Sequence, residues 1–199
     1  RMLKGFAANE IGAGMLKQYH LRSRYRETWP QGGPPLHFMP HHTAHAVGTF
    51  LVSPYESAAI LSLDGAGEWA TSFLGEGHGT TVTRLAESFF PHSMGVFYEA
   101  PTEFCGFKAN YDEGKTMGLA PFGDPDVHRA EVERLVTVRP DGTIALDTSY
   151  FGFHGARRCA PKFTAAFGVP RNGGGFEDHH KNVAAAFQSA LEEKALELC

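Results

Sequence analysis

Three histidines fall within five positions of the stretch FMPHHTAHAVGTF, residues 38–50: His41, His42 and His45. On a helix, His41 and His45 lie one turn apart on a shared face, whereas His42 points about 100° round the axis. Only the first two can hold one ion. Neutral imidazole suits zinc, iron and similar cations, and two ligands from one turn leave room for a carboxylate from elsewhere. The same spacing also fits helix-terminal or core histidines bonded to backbone. The glutamate of an H-E-x-x-H motif is missing, which removes the usual zinc-protease reading.

Asp64, in LSLDGAGE, follows an apolar run that reads as a strand, and strand ends are where α/β proteins gather ligands. Two imidazoles and this carboxylate make a partial metal site. Gly65 and Gly67 would let backbone approach a phosphate or small substrate closely, and Glu68 would orient a ligand. The alternative is a tight turn and nothing more. Further on, GFKANYDEGKTMGLAPFG places Gly114 and Lys115 in a glycine-rich setting that resembles a phosphate cradle. Its spacing departs from G-x-x-x-x-G-K-[ST], so on spacing alone an ordinary surface loop with a solvated lysine is the better reading. His179 and His180 diverge as neighbours and read as capping or surface residues.

The elements that must position these residues follow from periodicity. Residues 6–20 read as a helix and the proline-rich stretch 26–38 as a surface loop; residues 43–52 read as a helix. AAILSLD reads as a central strand, and WATSFLGEG and TTVTRLAES as an alternating hairpin pair. Residues 92–123 read as loops and short helices, DPDVHRAEVERLV as an Asp-capped helix, TIALDTSYF as a strand, and FEDHHKNVAAAFQSALEEKALELC as an amphipathic helix. The order implies an α/β fold.

Composition narrows the function classes. The 199 residues are 42% hydrophobic with a net charge of -4 and no basic block, which argues against disorder and against nucleic acid as a partner. No apolar run approaches the roughly 18 to 20 residues of a membrane span. With no signal peptide in RMLKGFAANEIG, the chain reads as cytoplasmic. Cys105, Cys159 and Cys199 are widely spaced and read as reduced and structural.

The succession HHTAHA, LSLDGAGE and HSMGVFYEAPTEFCGFKANYDEGKTMGLAPFG resembles the carbamoyltransferase family of nodulation and antibiotic-tailoring enzymes. The resemblance covers most of the chain. It implies a domain similar to the tRNA threonylcarbamoyl-transfer protein, in the actin-like, sugar-kinase and Hsp70 ATPase class with a ribonuclease-H-like core. It also implies a mononuclear metal, usually iron with zinc or manganese as alternatives, on His41, His45 and Asp64. Such enzymes are similar in making carbamoyl adenylate from carbamoyl phosphate and ATP in a downstream YrdC-like domain, then passing the carbamoyl group to a sugar or antibiotic hydroxyl. Gly114 and Lys115 fall in the family's EGKxMGLAPYG signature, with Phe122 in place of Tyr, and would wall the active site.

By the same resemblance, a GHDAS-like phosphate loop should precede residue 1, and a GGVALN-like loop with a further aspartate should follow Cys199. The chain would then be an internal section of the transfer domain, inactive alone. His42, off the ligand face, is a candidate base or substrate contact. The alternatives are an actin-like regulatory module that binds metal and nucleotide without transfer, and a metal-dependent hydrolase.

Overall fold

The computed structural model describes residues 20–153 and 157–199. The helix expected over residues 6–20 lies outside the described residues except for its last position, which belongs to a helical stretch at 20–28. That stretch overruns the expected start of the loop.

After Pro40 comes helix α1 (His41–Phe50), two residues earlier than its apolar pattern alone places it. Its buried stripe is His42, Ala46 and Phe50, four residues apart, and this stripe packs on a sheet of three antiparallel strands. The strands are β1 (Ser57–Gly67), β2 (Ala70–His78) and β3 (Thr81–Phe89), in that order across the sheet. Ala46, Phe50, Ile60 and Phe73 form the helix–sheet core. Each large side chain there contributes about 1.5–3 kcal/mol by leaving water. Phe50 lies directly over Gly77, where a Cβ would stand 2.5 Å from the ring. Among the described strands β1 is at the edge and β2 in the middle, whereas the continuous apolar run of residues 58–64 reads as a central strand.

Helix α2 (Met94–Phe104) crosses the larger core, with Phe97, Ala100 and Phe104 fully buried. It follows from an N-cap serine and an apolar run, although Pro101 sits inside it and breaks the sequence pattern. Helix α3 (Glu113–Leu119) continues into a 3-10 turn. The stretch expected as one capped helix divides into a 3-10 turn, Pro125–Val127, and α4 (Arg129–Glu133). Asp124 accepts the Asp126 N–H at 2.9 Å and holds the tighter turn.

A two-stranded sheet follows, β4 (Val136–Val138) and β5 (Ile144–Leu146). The strand expected over residues 143–151 stops at Leu146, because Asp147 accepts the Ser149 N–H at 3.1 Å and turns the chain into a 3-10 helix. Helix α5 (Pro161–Phe167) had no clear sequence signal beyond its opening proline. Helix α6 (Asp178–Leu198) runs along α2, with Phe187 and Phe97 rings 4.8 Å apart and Ala184 and Ala186 buried. The fold is mixed α/β. No helix among the described residues is long and apolar enough to cross a membrane.

Candidate metal centre

The stripe that buries His42 leaves His41 and His45 on the neighbouring face of α1, toward β1. His41 Nε2 lies 2.9 Å from Asp64 Oδ2 and 2.9 Å from His45 Nε2, and His45 Nε2 lies 3.9 Å from Asp64 Oδ2. Three points so spaced fall on a circle of radius about 2.0 Å, which matches the roughly 2.0–2.2 Å bonds of imidazole and carboxylate to zinc. His41, His45 and Asp64 are the sole set of this kind among the described residues.

Proton bookkeeping points the same way. His41 Nε2 has either one hydrogen or one lone pair, so it makes an ordinary hydrogen bond to Asp64 or to His45. One proton shared three ways would leave each contact weak, whereas a cation is a common partner for all three donor atoms. Burial raises the Asp64 carboxyl, but the His41 hydrogen bond and the Gly65 N–H at 2.7 Å outweigh it, and the group titrates below the usual carboxylate range. It is therefore ionised at neutral pH, as a ligand must be.

β1 continues past Asp64 to Gly67, so the carboxylate is not at the strand's end as expected. The β1–β2 register instead breaks between Leu63 and Gly67, and Asp64 lies in that irregular segment. Such breaks re-aim a side chain out of the ladder. The hydroxyl of Ser93, fully buried at the N-cap of α2, lies 2.8 Å from the Asp64 carbonyl and 2.7 Å from that of Gly65, and accepts the Val96 N–H at 3.1 Å. A Cβ at Gly95 would stand 2.5 Å from Gly65 Cα, so α2 starts against this backbone. Nothing in the sequence tied Ser93 to Asp64.

Of the expected residues, His41, His45, Asp64, Gly65 and Gly67 come together. Gly67 passes under the His41 ring, and Glu68 takes a left-handed φ of 63° in the turn to β2. His42 is turned inward, 1% exposed. Its Nε2–H donates to the Ala70 carbonyl at 3.1 Å and its Nδ1 accepts from Ser62 Oγ at 3.0 Å. Burial chiefly lowers its pKa, and the neutral ring ties α1 to β1 and β2 instead of opening on the site as a base. Lys115 pairs with Asp112 at 2.9 Å and Gly114 stands in open space. Neither lines the cleft beside Asp64, to which their segment sends Asn110. The buried thiol of Cys105 is pushed up to about 12 by desolvation, which agrees with a structural role.

A helix-borne imidazole pair faces a strand-borne carboxylate in a mixed α/β fold, and these three side chains could hold one metal ion. The chain belongs to the carbamoyltransferase family: the model described as Carbamoyltransferase N-terminus matches residues 18–199. It is 40% identical to Uncharacterized protein sll1178 of Synechocystis, over 83% of this chain and 27% of that protein. It is 36% identical to Nodulation protein NolNO of Sinorhizobium fredii, over 78% of this chain and 22% of the relative. Nodulation protein NolO of Bradyrhizobium diazoefficiens is 32% identical over 77% of this chain and 26% of its own length. The chain thus spans about a quarter of the length of these relatives.

Proposed function

We propose that this chain is part of the transfer domain of an ATP-dependent O-carbamoyltransferase, in the actin-like ATPase class. In this reading, carbamoyl adenylate, made from carbamoyl phosphate and ATP, gives its carbamoyl group to a hydroxyl of a sugar or natural product. The observation that carries it is the His41, His45 and Asp64 donor triangle within a chain of the carbamoyltransferase family.

The step is acyl transfer. The alcohol oxygen bonds to the carbonyl carbon, the bond to the phosphate oxygen breaks, adenylate leaves with the electron pair, and the alcohol proton passes to water. The leaving group is already good, so the protein's task is to align the two reactants and to meet developing negative charge. Iron(II), zinc or manganese on His41, His45 and Asp64 would supply positive charge for the phosphate or carbonyl oxygen. Asp64 bridges the donor cluster and the adjoining cleft, which places the two functions side by side. Gly65 borders that cleft and keeps the β1 backbone bare there, so a planar reactant can approach it, whereas Gly67 is covered by the His41 ring.

The test uses the complete protein with ATP, carbamoyl phosphate and a panel of sugar and aminoglycoside acceptors. AMP release together with an acceptor heavier by one carbamoyl group supports the reading. A protein that takes up no metal, or whose metal content is unchanged by His41→Ala and His45→Ala, removes its premise.

A further inference from the structure

β1 is covered on both faces but paired along one edge. Ala58 and Ile60 join the core under α1, Ser62 donates to His42 and Asp64 faces His41, so these alternate residues look toward that helix. Leu61 and Leu63 pack on the opposite side, against the larger core that α2 crosses. A strand apolar on both faces is the pattern of one with neighbours on either side. Among the described residues β1 has one neighbour, β2.

The register shows which backbone groups face the open edge. The Gly79 N–H donates to the Glu56 carbonyl at 2.8 Å, so Glu56 and Gly79 form a bonded pair. Bonded and non-bonded pairs alternate along an antiparallel ladder, which turns the N–H and C=O groups of Ala58, Ile60 and Ser62 to β2 and those of Ala59, Leu61 and Leu63 away from it. By the same alternation, Val82 and Arg84 turn theirs to the outer edge of β3.

The two edges are built differently. β3 carries an Arg84–Glu87 ion pair at 2.7 Å and a shift of register after Arg84, devices that keep an edge from pairing. β1 has neither a charge nor a proline from Ser57 to Leu63. A groove of ≈ 480 Å³ runs beside it instead, lined by Ala46, Thr49, Ile60 and Leu61 and reaching His45 and Asp64.

We propose that the open edge of β1 is the docking site of a further β-strand of the same protein, apolar on both faces, which extends the sheet. Such a strand lies about 4.7–4.9 Å from β1, fills the groove beside α1 and satisfies the backbone groups of Ala59, Leu61 and Leu63. This chain spans about a quarter of the length of the curated relatives it matches, so members of the family have ample chain to supply the strand. A segment linked in one polypeptide also docks at a high effective concentration, which favours it over a second copy. The inference goes beyond the carbamoyltransferase reading and does not depend on it.

Amide hydrogen exchange, read residue by residue on the complete protein, tests it. The N–H groups of Ala59, Leu61 and Leu63 are expected to exchange at least about 100-fold more slowly than unstructured amides, at rates unchanged on dilution. Ala59 is exposed, so Ala59→Pro removes an outward N–H without loss of core packing. It should lower the thermal midpoint more than Arg84→Pro, since proline is tolerated where the N–H of an edge strand faces solvent. Weaker protection than this, or an Ala59→Pro variant as mild as Arg84→Pro, overturns the inference. So does protection that fades on dilution, which would give the edge to a second copy. Carbamoyl addition to an acceptor is read separately, so the failure of one proposal is distinguishable from the failure of the other.

Discussion

The imidazole of His41 rests on the backbone of Gly67: a Cβ built there would stand 2.2 Å from Cδ2 and 2.5 Å from Cγ of the ring. The first residue of α1 and the last of β1 therefore meet without a side chain between them. This contact sets the separation of the helix that brings two donors and the strand that brings the third.

Gly67→Ala should consequently weaken metal binding without touching a ligand. The ring has to move by an ångström or more, and misplacing a ligand's support costs about 10–100-fold in affinity. Gly48→Ala is the contrast, since Gly48 lies on the same helix with nothing within 4 Å of a Cβ. It should raise stability by about 0.5–1 kcal/mol through helix propensity. Metal titrations and thermal melts on both variants distinguish the two; equal metal affinity would show that the Gly67 contact is not needed.

The ligands themselves should separate cleanly from their neighbour His42. In the complete protein, His41→Ala, His45→Ala and Asp64→Asn are each expected to lower metal affinity by at least about 100-fold, more than the loss of an outer partner. His42→Ala removes two internal hydrogen bonds and should cost about 1–3 kcal/mol of stability while the folded protein still takes up metal. Elemental analysis beside denaturant melts reads both. Metal lost only on the His42 change would invert the assignment.

The donor set was legible in the sequence because it depends on one helical turn and one strand, both strongly patterned. Where Asp64 points was not legible, since a break of register depends on β2 and on Ser93, which lies 29 residues further along. β1 read as central because its apolar run looks the same whether helices or strands cover it. Nor did the sequence show that Glu99 pairs with Arg158: a charge 59 residues from its partner looks like surface until α2 and the residue 158 segment meet. Pro101 and its neighbours made the α2 region read as loops and short helices instead of one 11-residue helix, and Asp147 ended a strand that the pattern would have continued.

Stability should fall on mild acidification, and His180 offers a specific cause. It is 4% exposed; its Nε2–H donates to the Val169 carbonyl at 3.2 Å and its Nδ1 accepts the Glu177 N–H at 3.1 Å, which completes the cap of α6. Burial first, and then the neighbouring His179, lower its pKa. The unfolded chain therefore binds the proton more readily. The cap's contribution is complete above the unfolded value of about 6.5 and is lost as pH falls from there through the folded value. Denaturant melts between pH 7.5 and 5 should show this slope, and His180→Gln should flatten it. An unchanged slope would assign it to other inward-facing histidines, such as His92, whose Nδ1 accepts the Leu146 N–H at 3.1 Å.

Ser93 couples the fold to the site. Its hydroxyl caps α2 and lies between the carbonyls of Asp64 and Gly65, so one side chain both starts the core helix and pins the irregular part of β1. Ser93→Ala should cost about 0.5–2 kcal/mol as a lost N-cap. It should also weaken metal binding, because the Asp64 backbone loses its anchor. Thr116→Val removes another buried hydroxyl, one that donates to Thr102 at 2.9 Å and not to β1, and should lower stability without changing metal affinity. If both variants lost stability alike and neither altered metal affinity, the cap would be structural only, and the register break alone would aim the carboxylate.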